Sequence, residues 1–485
     1  MPPTLTTDPQ KEPAISADAA GSHRIFAKLA SLLSARWFME ILQALFFIYL
    51  ARISTSTYGE FMLAINLGTI IRLIAEFGLN VPLVGLLTQK ERDAKEFLNQ
   101  VLVLKAGLLT LAYIGAVAFI NWQHYASPLY EFALIISLGF GLDALSTTFF
   151  TSLEVQGRQP QEGKIRAIAA LMGYGYGFAA VFWGAPPLAI ALFKPVETAI
   201  NLLGGSLTVG LKGLWRRPTL AGLSSTLRRV LIFAVMEVTS ILYNKANIFF
   251  LQKYAGSVGV AQYSATYQII DGCSAIAATL ILQSVLFPLF VKFWDVDRQE
   301  VILLARASAR WLLGAGLLLM LVLWAEADRI IPLVYGPHFS DAVWLQRYLV
   351  ITIFFALLHN LAGFLLISMR LERFLVMVYL VSLAFNLVFC WLVIPTNPLW
   401  GAALAIILTK GGMALVTFGF VQRRLKIFPL EDMVVVLLSS LLSLFTYWAG
   451  LFVLKRGWAL LTAVLVLLGL LHYFWAKRNP LREKG

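Results

Sequence analysis

Charged residues are scarce in this chain. Of its 485 residues, 13% are Asp, Glu, Lys or Arg, about half the share found in soluble globular proteins, while 59% are apolar. A soluble fold with this composition would have too few polar residues to cover its surface. No polar stretch between the apolar runs is long enough for a separate soluble domain. The composition therefore excludes a soluble enzyme held by a membrane anchor.

Cysteines and the motifs of common enzymes are also lacking. The two cysteines, Cys273 and Cys390, lie in different apolar runs, so we predict neither a disulfide nor a metal site. The sequence has no phosphate-binding P-loop, no HExxH zinc motif and no nucleophile elbow. We therefore predict that the protein is not an enzyme and that it has no catalytic residues, metal or cofactor.

Long apolar runs dominate the sequence instead. A run of about 20 apolar residues spans a bilayer as an α-helix, and these runs lack the alternation of membrane β-strands. We predict an all-α polytopic membrane protein with about 14 transmembrane helices. The predicted spans are Leu29–Leu50, Phe61–Leu87, Leu98–Ile120, Leu129–Leu153, Ile165–Trp183, Leu188–Leu211, Val230–Leu251, Ala261–Val291, Val301–Trp324, Val343–Met369, Phe374–Ile394, Leu399–Phe420, Met433–Leu454 and Trp458–Trp475.

The basic residues predict the orientation of the chain. Lys and Arg collect in every second loop, as at Arg216–Arg217 and Arg423–Arg424, while the loops between them hold few. Cytoplasmic loops of membrane proteins are rich in Lys and Arg. We therefore predict that both termini are cytoplasmic. The same asymmetry accounts for the net charge of +13 without a nucleic-acid partner.

The first twelve spans form two sets of six that resemble each other. Tyr58–Phe61, after span one, aligns with Val260–Tyr263, after span seven. Parallel repeats of this kind are related by an axis along the membrane normal and place a substrate site at their interface. We predict two six-helix lobes around a central cavity plus two C-terminal helices. The predicted segments are a disordered cytoplasmic tail at 1–23, an N-lobe at 24–211, a cytoplasmic connector at 212–229, a C-lobe at 230–426, and spans 13 and 14 with a basic tail at 427–485.

Four segments carry a resemblance to a known family. They are ARISTSTYGEFMLA with the following FGLNVPLV, NIFFLQKYAGSVGVAQYSATYQI, LVYGPHFSDAVWLQRYL, and NLVFCWLVIPTNPLWGAALAIILT. In this order and spacing the chain resembles a Wzx-type polysaccharide flippase of the multidrug/oligosaccharidyl-lipid/polysaccharide exporter superfamily. One departure is Asn247, where that family often has an acidic residue.

The resemblance implies a transporter in the cytoplasmic (inner) membrane of a bacterium. Such a protein translocates a polyprenyl-pyrophosphate-linked oligosaccharide by alternating access, for export of a surface polysaccharide such as exopolysaccharide or lipopolysaccharide. The implied partners are membrane lipid, a polysaccharide polymerase and the export machinery. Two alternatives stay open: a multidrug or peptidoglycan-precursor exporter of the same superfamily, and a membrane polysaccharide polymerase or glycosyltransferase.

Charged residues inside the predicted spans are the candidate site residues. Intramembrane charges usually face a cavity or a partner, and fixed cations can replace the water that a pyrophosphate loses there. We predict a cationic, substrate-binding cavity. Its residues are Arg36, Arg72, Lys105, Lys194, Lys245 and Lys410.

Acidic residues in the spans allow two interpretations. Asp143, Glu237 and Asp271 are candidates for coupling transport to an ion, and one hypothesis pairs Glu237 with Lys245. Glu40 and Glu76 instead follow Arg36 and Arg72 at a spacing of four residues. That spacing predicts ion pairs within one helix, which would serve packing alone.

Overall fold

The computed structural model describes residues 37–80, 83, 87, 94–210 and 220–476. These ranges are almost entirely helical and contain no β-strand, which confirms the all-α polytopic fold. The predicted tail at 1–23 and the final basic residues lie outside the described residues, as does Arg36.

Helices before residue 211 pack together and are called the N-group here. In the N-group, α2 packs on α3 and α4, and both α4 and α5 pack on α7. Phe46 of α1 contacts Tyr174 and Phe193, with ring centroids 5.7 and 4.9 Å away. The helices are α1 (helical over residues 37–53), α2 (Thr55–Glu76), α3 (Ala94–Trp122), α4 (Leu129–Val155), α5 (Gln159–Phe182), α6 (Pro187–Ala191) and α7 (Phe193–Val209).

Helices from residue 220 to 425 form a second set, the C-group. Its first helix, α8, begins at Leu220, inside the segment predicted as a connector, and residues 211–219 lie outside the described chain. The helices are α8 (Leu220–Ala277), a π-helix (Ala278–Leu286), α9 (Phe287–Trp294), α10 (Arg298–Ala325), α11 (Ala327–Tyr335), α12 (Ser340–Leu349), α13 (Ile351–Ser368), α14 (Glu372–Val393) and α15 (Pro398–Leu425).

Two further helices, α16 (Leu430–Val453) and α17 (Arg456–Ala476), pack on each other and on α10. Arg310 of α10 donates from Nε to Oδ2 of Asp432 at 2.9 Å and from Nη2 to Oδ1 at 3.1 Å. Both side chains are buried, and a two-pronged guanidinium–carboxylate contact fixes orientation as well as distance. The predicted spans 13 and 14 are thereby fastened to the C-group.

Eleven helices of the described chain are long and apolar enough to cross a membrane. The predicted spans one, seven and eight coincide with α1, with α8 and with the π-helix that follows α8. The total of fourteen spans therefore stays a prediction.

A bend at Gly256 divides α8 into two arms. Gly256 has φ 66° and ψ −171°, a conformation that side chains with a Cβ rarely adopt. The arms, residues 220–255 and 257–277, correspond to predicted spans seven and eight. The backbone leaves the helical conformation at Gly256, so one glycine lets the chain change direction between two helical spans.

The N-group and the C-group meet where α2 crosses the second arm of α8. A Cβ added to Gly59 would lie 1.8 Å from the carbonyl oxygen of Ser257 and 3.1 Å from the amide nitrogen of Ala261. Gly59 and Ala261 are the positions that the repeat alignment equates. Beside them, Arg52 donates from Nε to the carbonyl oxygen of Val334 at 2.9 Å. The two aligned segments therefore form a direct contact between the groups.

Candidate functional site

The predicted site residues fall into two clusters, one in each group of helices. Residues of the first cluster lie on α2, α3, α4 and α7 of the N-group: Arg72, Glu76, Lys105, Asp143, Lys194 and Glu197. Residues of the second cluster lie on α8 and α15 of the C-group: Lys245, Tyr267, Asp271 and Lys410.

Arg72 is the centre of the first cluster. Its Nε lies 3.0 Å from Oε1 of Glu76, one turn along α2, and its Nη1 lies 2.8 Å from Oδ2 of Asp143 on α4. Two carboxylates therefore share one guanidinium. This arrangement links α2 to α4. The positive charge of Arg72, which the sequence suggested for substrate binding, is therefore already paired with carboxylates of the protein.

Lys105 is fully buried beside this pair. Its Nζ donates to Oδ1 of Asn80 at 2.7 Å, to the carbonyl oxygen of Ala144 at 2.9 Å and to Oγ1 of Thr147 at 3.0 Å. An ammonium has three protons, so this conformation leaves none for a ligand. Thr147 also donates to Oε1 of Glu76 at 3.3 Å, which joins Lys105 to the Arg72 pair.

Lys194 is likewise paired within the N-group. Its Nζ lies 2.8 Å from Oε2 of Glu197, one turn along α7, and 4.6 Å from the centre of the Phe140 ring. Lys194 and Glu197 are both buried. The pair places no net charge in the bundle.

Two further carboxylates approach the first cluster. Glu237, exposed on the first arm of α8, interacts electrostatically with Glu76, Arg72 and Lys105. Glu40 of α1 interacts with Lys194 and with other charges of the cluster. Among the described residues, carboxylates therefore outnumber cations on the N-group side. The predicted cationic character is not found there in the part of the chain that the structure describes.

In the second cluster, cations outnumber carboxylates. Nζ of Lys410 lies 3.2 Å from Oδ1 of Asp271 and 5.0 Å from the centre of the Tyr267 ring. Nζ of Lys245 lies 5.6 Å from the same ring. Both ammonium groups interact with the single carboxylate of Asp271, so the cluster carries an excess positive charge.

Tyr267 is held in place by hydrogen bonding and stacking. Its hydroxyl donates to Oδ1 of Asn244 at 2.9 Å, and its ring stacks on that of Tyr263 at 5.6 Å. A fixed aromatic face between two ammonium groups attracts both through its negative quadrupole. Tyr267 therefore stabilises the positive charges of both Lys245 and Lys410.

A polar cavity of about 250 Å³ adjoins the second cluster. Asp271 and Lys410 line one side, and the amides of Asn244 and Asn360 with the ring of Tyr243 line others. His359 is also part of the wall, where Nδ1 contacts Oγ1 of Thr417 at 3.1 Å and Nε2 contacts the hydroxyl of Tyr379 at 3.0 Å. Both nitrogens of this histidine are therefore engaged by the protein.

The hypothesis that pairs Glu237 with Lys245 does not match the structure. Glu237 faces the first cluster, whereas Lys245 faces Asp271 and Lys410. Eight residues along an α-helix amount to about 80° beyond two full turns. The two side chains therefore point to different partners.

Sequence reasoning also missed the neutral residues that complete the first cluster. Thr147 follows Asp143 by four residues on α4, so both lie on one helix face. That spacing could have indicated Thr147. Asn80 carries no such signal, because it reaches Lys105 only through the packing of α2 against α3.

The chain matches the family described as "Polysaccharide biosynthesis protein" over residues 25–294, which is more than half of its length. No match is found among curated proteins.

Several solved structures share the fold. The lipid II flippase MurJ in an inward closed conformation is 15% identical, with a TM-score of 0.73, over 92% of this chain and 99% of that one. An inward-facing multidrug resistance MATE transporter is 13% identical, with a TM-score of 0.61, over 80% and 94%. A MOP superfamily transporter from Pyrococcus furiosus is 14% identical, with a TM-score of 0.51, over 83% and 95%. At these identities the likeness concerns the fold alone.

Proposed function

We propose, because this chain belongs to the polysaccharide biosynthesis protein family, that it flips a lipid-linked oligosaccharide across the cytoplasmic membrane of a bacterium. The substrate is an oligosaccharide on a polyprenyl diphosphate. Delivery to the outer face supplies a polysaccharide polymerase and the export machinery. Both termini remain on the cytoplasmic side, in agreement with the distribution of basic residues.

The second cluster with its cavity is the observation that carries this proposal. Lys245, Lys410 and Asp271 bring charge into a bundle whose outer surface is rich in exposed Leu, Val, Phe and Trp. Charged groups within a membrane cost free energy, so their presence indicates a path for a polar ligand. A lipid-linked oligosaccharide needs such a path for its head, while its apolar tail stays in the bilayer.

Alternating access follows from the two-group architecture. The groups touch through α2 and the second arm of α8, where Gly59 meets Ser257. The charged clusters lie on helices of different groups. Rocking of one group against the other would expose the space between the clusters to each side of the membrane in turn.

Transport in reconstituted vesicles tests the proposal. A fluorescent polyprenyl-diphosphate oligosaccharide in the outer leaflet is protected from a membrane-impermeant quencher once it is flipped. Lys245→Met/Lys410→Met should reduce the rate at least about tenfold, because both cations of the second cluster are removed, including the charge-assisted contact that Lys410 offers in the cavity. The matched control is Lys253→Met, an exposed lysine of the same helix α8. An unchanged rate in the double variant would contradict the role given to the second cluster.

A peptidoglycan precursor is the second candidate substrate. The similarity in fold to the lipid II flippase MurJ favours it. The same vesicle assay separates the two candidates when fluorescent lipid II replaces the oligosaccharide lipid. Faster transport of lipid II than of oligosaccharide lipids would favour the second candidate.

A further inference from the structure

We propose that the 250 Å³ cavity beside the second cluster binds one sugar ring of the transported head group, and that this ring carries a carboxylate. This inference rests on the proposed function and narrows its substrate to oligosaccharides that contain a uronic acid. It assigns recognition to Lys410, Asp271 and Asn360, while Lys245, whose Nζ lies 5.6 Å from the centre of the Tyr267 ring, adds positive charge nearby.

The size of the cavity suits a single ring. Sites that enclose drug-sized ligands measure about 300–1,000 Å³, and this cavity lies just below that range. A chain of several sugars would not fit inside it. One ring can enter while the rest of the head group stays outside the cavity.

The wall of the cavity both donates and accepts hydrogen bonds. The Asn360 amide makes no hydrogen bond within the described chain, so it is available as donor and acceptor. Asp271 is 43% exposed in its side chain and offers carboxylate oxygens, while Lys410 offers protons. Sugar hydroxyls can donate to Asp271 and accept from Lys410. A diphosphate has only negative acceptor oxygens, which the Asp271 carboxylate would repel.

The charge balance selects an acidic ring over a neutral one. Lys245 and Lys410 face one carboxylate, Asp271, so one positive charge is left for a ligand. A single sugar carboxylate would neutralise it. The first cluster holds three cations and three carboxylates, which leaves no positive charge for a ligand, and the nearby Glu40 and Glu237 would repel the same group. An acidic ring is therefore directed to the C-group.

Two lipids that differ in one group test the inference. Vesicles containing the full chain receive fluorescent polyprenyl diphosphates bearing either one glucuronic acid or one glucose. The wild type should move the glucuronic acid lipid about tenfold faster, as expected for one charged hydrogen bond. Lys410→Met should abolish this preference, and Lys410→Arg should retain it. Equal rates for the two lipids in the wild type would overturn the inference.

Asn360→Asp provides an independent variant in case Lys410→Met fails to fold. The new carboxylate cancels the excess charge of the cavity, so the glucuronic acid lipid should lose its advantage over the glucose lipid. Asn360→Leu, which removes the amide without adding charge, should slow both lipids and keep the preference. A preference that persists in Asn360→Asp would contradict the inference.

The outcomes also separate this inference from the proposed function. Transport of both lipids at equal rates would refute the acidic sugar and leave the flippase intact. Failure to move any polyprenyl-diphosphate sugar, in vesicles where correct reconstitution is verified, would refute the flippase itself. Calorimetric titration of the solubilised wild type with free glucuronate and glucose gives a second measurement. Equal binding of the two sugars would refute the charge selection.

Discussion

Cations within the helix bundle of this protein differ in what surrounds them. Arg72, Lys105 and Lys194 are satisfied by carboxylates, hydroxyls and carbonyls of their own helix group. A buried charge whose partners are complete is a structural feature, since breaking such a pair leaves an uncompensated charge. Lys245 and Lys410 share the carboxylate of Asp271, and Lys410 and Asp271 border a cavity. The incomplete pairing, and not the burial of a lysine as such, is the reason we propose the C-group residues as the ligand-binding ones.

Asp328 forms ion pairs with two arginines at the protein surface. Asp328 of α11 accepts from Nη1 of Arg456 at 2.6 Å and lies 3.2 Å from Nη2 of Arg347. Hydrogen bonds from Arg456 hold the pKa of Asp328 at about 2, below its usual range. Because this pKa is depressed in the folded state, the pair contributes stability above about pH 4 and loses it as the pH falls towards 2.

Asp328→Asn should therefore lower the unfolding temperature of the solubilised protein at pH 6 and have little effect near pH 2. The effect at pH 6 is expected to stay below about 1 kcal/mol, because Asp328 is 40% exposed and water screens the pair. High salt should reduce the effect further. A difference between variant and wild type that is independent of pH would contradict this account.

Among the helices, α2 and α8 determine how the two groups meet. The bend at Gly256 turns the second arm of α8 towards α2, and the missing side chain of Gly59 lets the backbones touch. Small residues allow this close approach of membrane helices. The contact is thus set by one glycine on each helix.

Substitution at Gly59 should separate these helices. Gly59→Ala places a Cβ 1.8 Å from the Ser257 carbonyl oxygen, so backbone atoms must move. We expect a loss of at least about 1–3 kcal/mol, typical of overpacking, and slower transport. Gly115→Ala on α3 is the matched control, because no atom lies within 4 Å of its added Cβ. It should leave stability unchanged or raise it slightly through better helix propensity. Similar behaviour of the two variants would contradict the role of Gly59.

The whole molecule combines a two-group transporter with an attached helix pair. The α16–α17 pair is held to α10 by the Arg310–Asp432 contact and by the Tyr447 hydroxyl, which donates to the Ala325 carbonyl oxygen at 3.3 Å. The fold that this chain shares with MurJ and MATE transporters extends over most of its length. The orientation of the whole molecule in the membrane is predicted from its basic residues and can be tested by labelling.

Labelling of single cysteines tests the orientation. In a chain lacking Cys273 and Cys390, Lys455→Cys should react with a membrane-impermeant maleimide in spheroplasts, where the outer membrane is removed. Arg370→Cys should react only after the inner membrane is opened. Both positions are exposed, so access to the reagent depends on the side of the membrane. Labelling of Arg370→Cys in closed spheroplasts would contradict cytoplasmic termini.

The class of the protein and most of its helices could be predicted from the amino-acid sequence. Apolar runs of bilayer length and short loops leave an all-α membrane fold as the outcome, because backbone groups in lipid must be satisfied within each segment. The aligned segments around Gly59 and Ala261 also indicated that the chain contains two repeats. These features are local in sequence or recur along it.

Which of the predicted cations are neutralised could not be read from the sequence, because it depends on how the helices pack. The sequence predicted six candidate cations, but Asp143 neutralises Arg72 from another helix, and Lys105 is satisfied by α4 and by Asn80. Lys245 and Lys410 are 165 residues apart in number and share Asp271 only after α8 and α15 pack together. Pairing of charges depends on distances between helices, and those distances are set by packing of the whole bundle. Charge counted along the chain therefore indicated where a site is possible, and packing determined where charge remains unpaired.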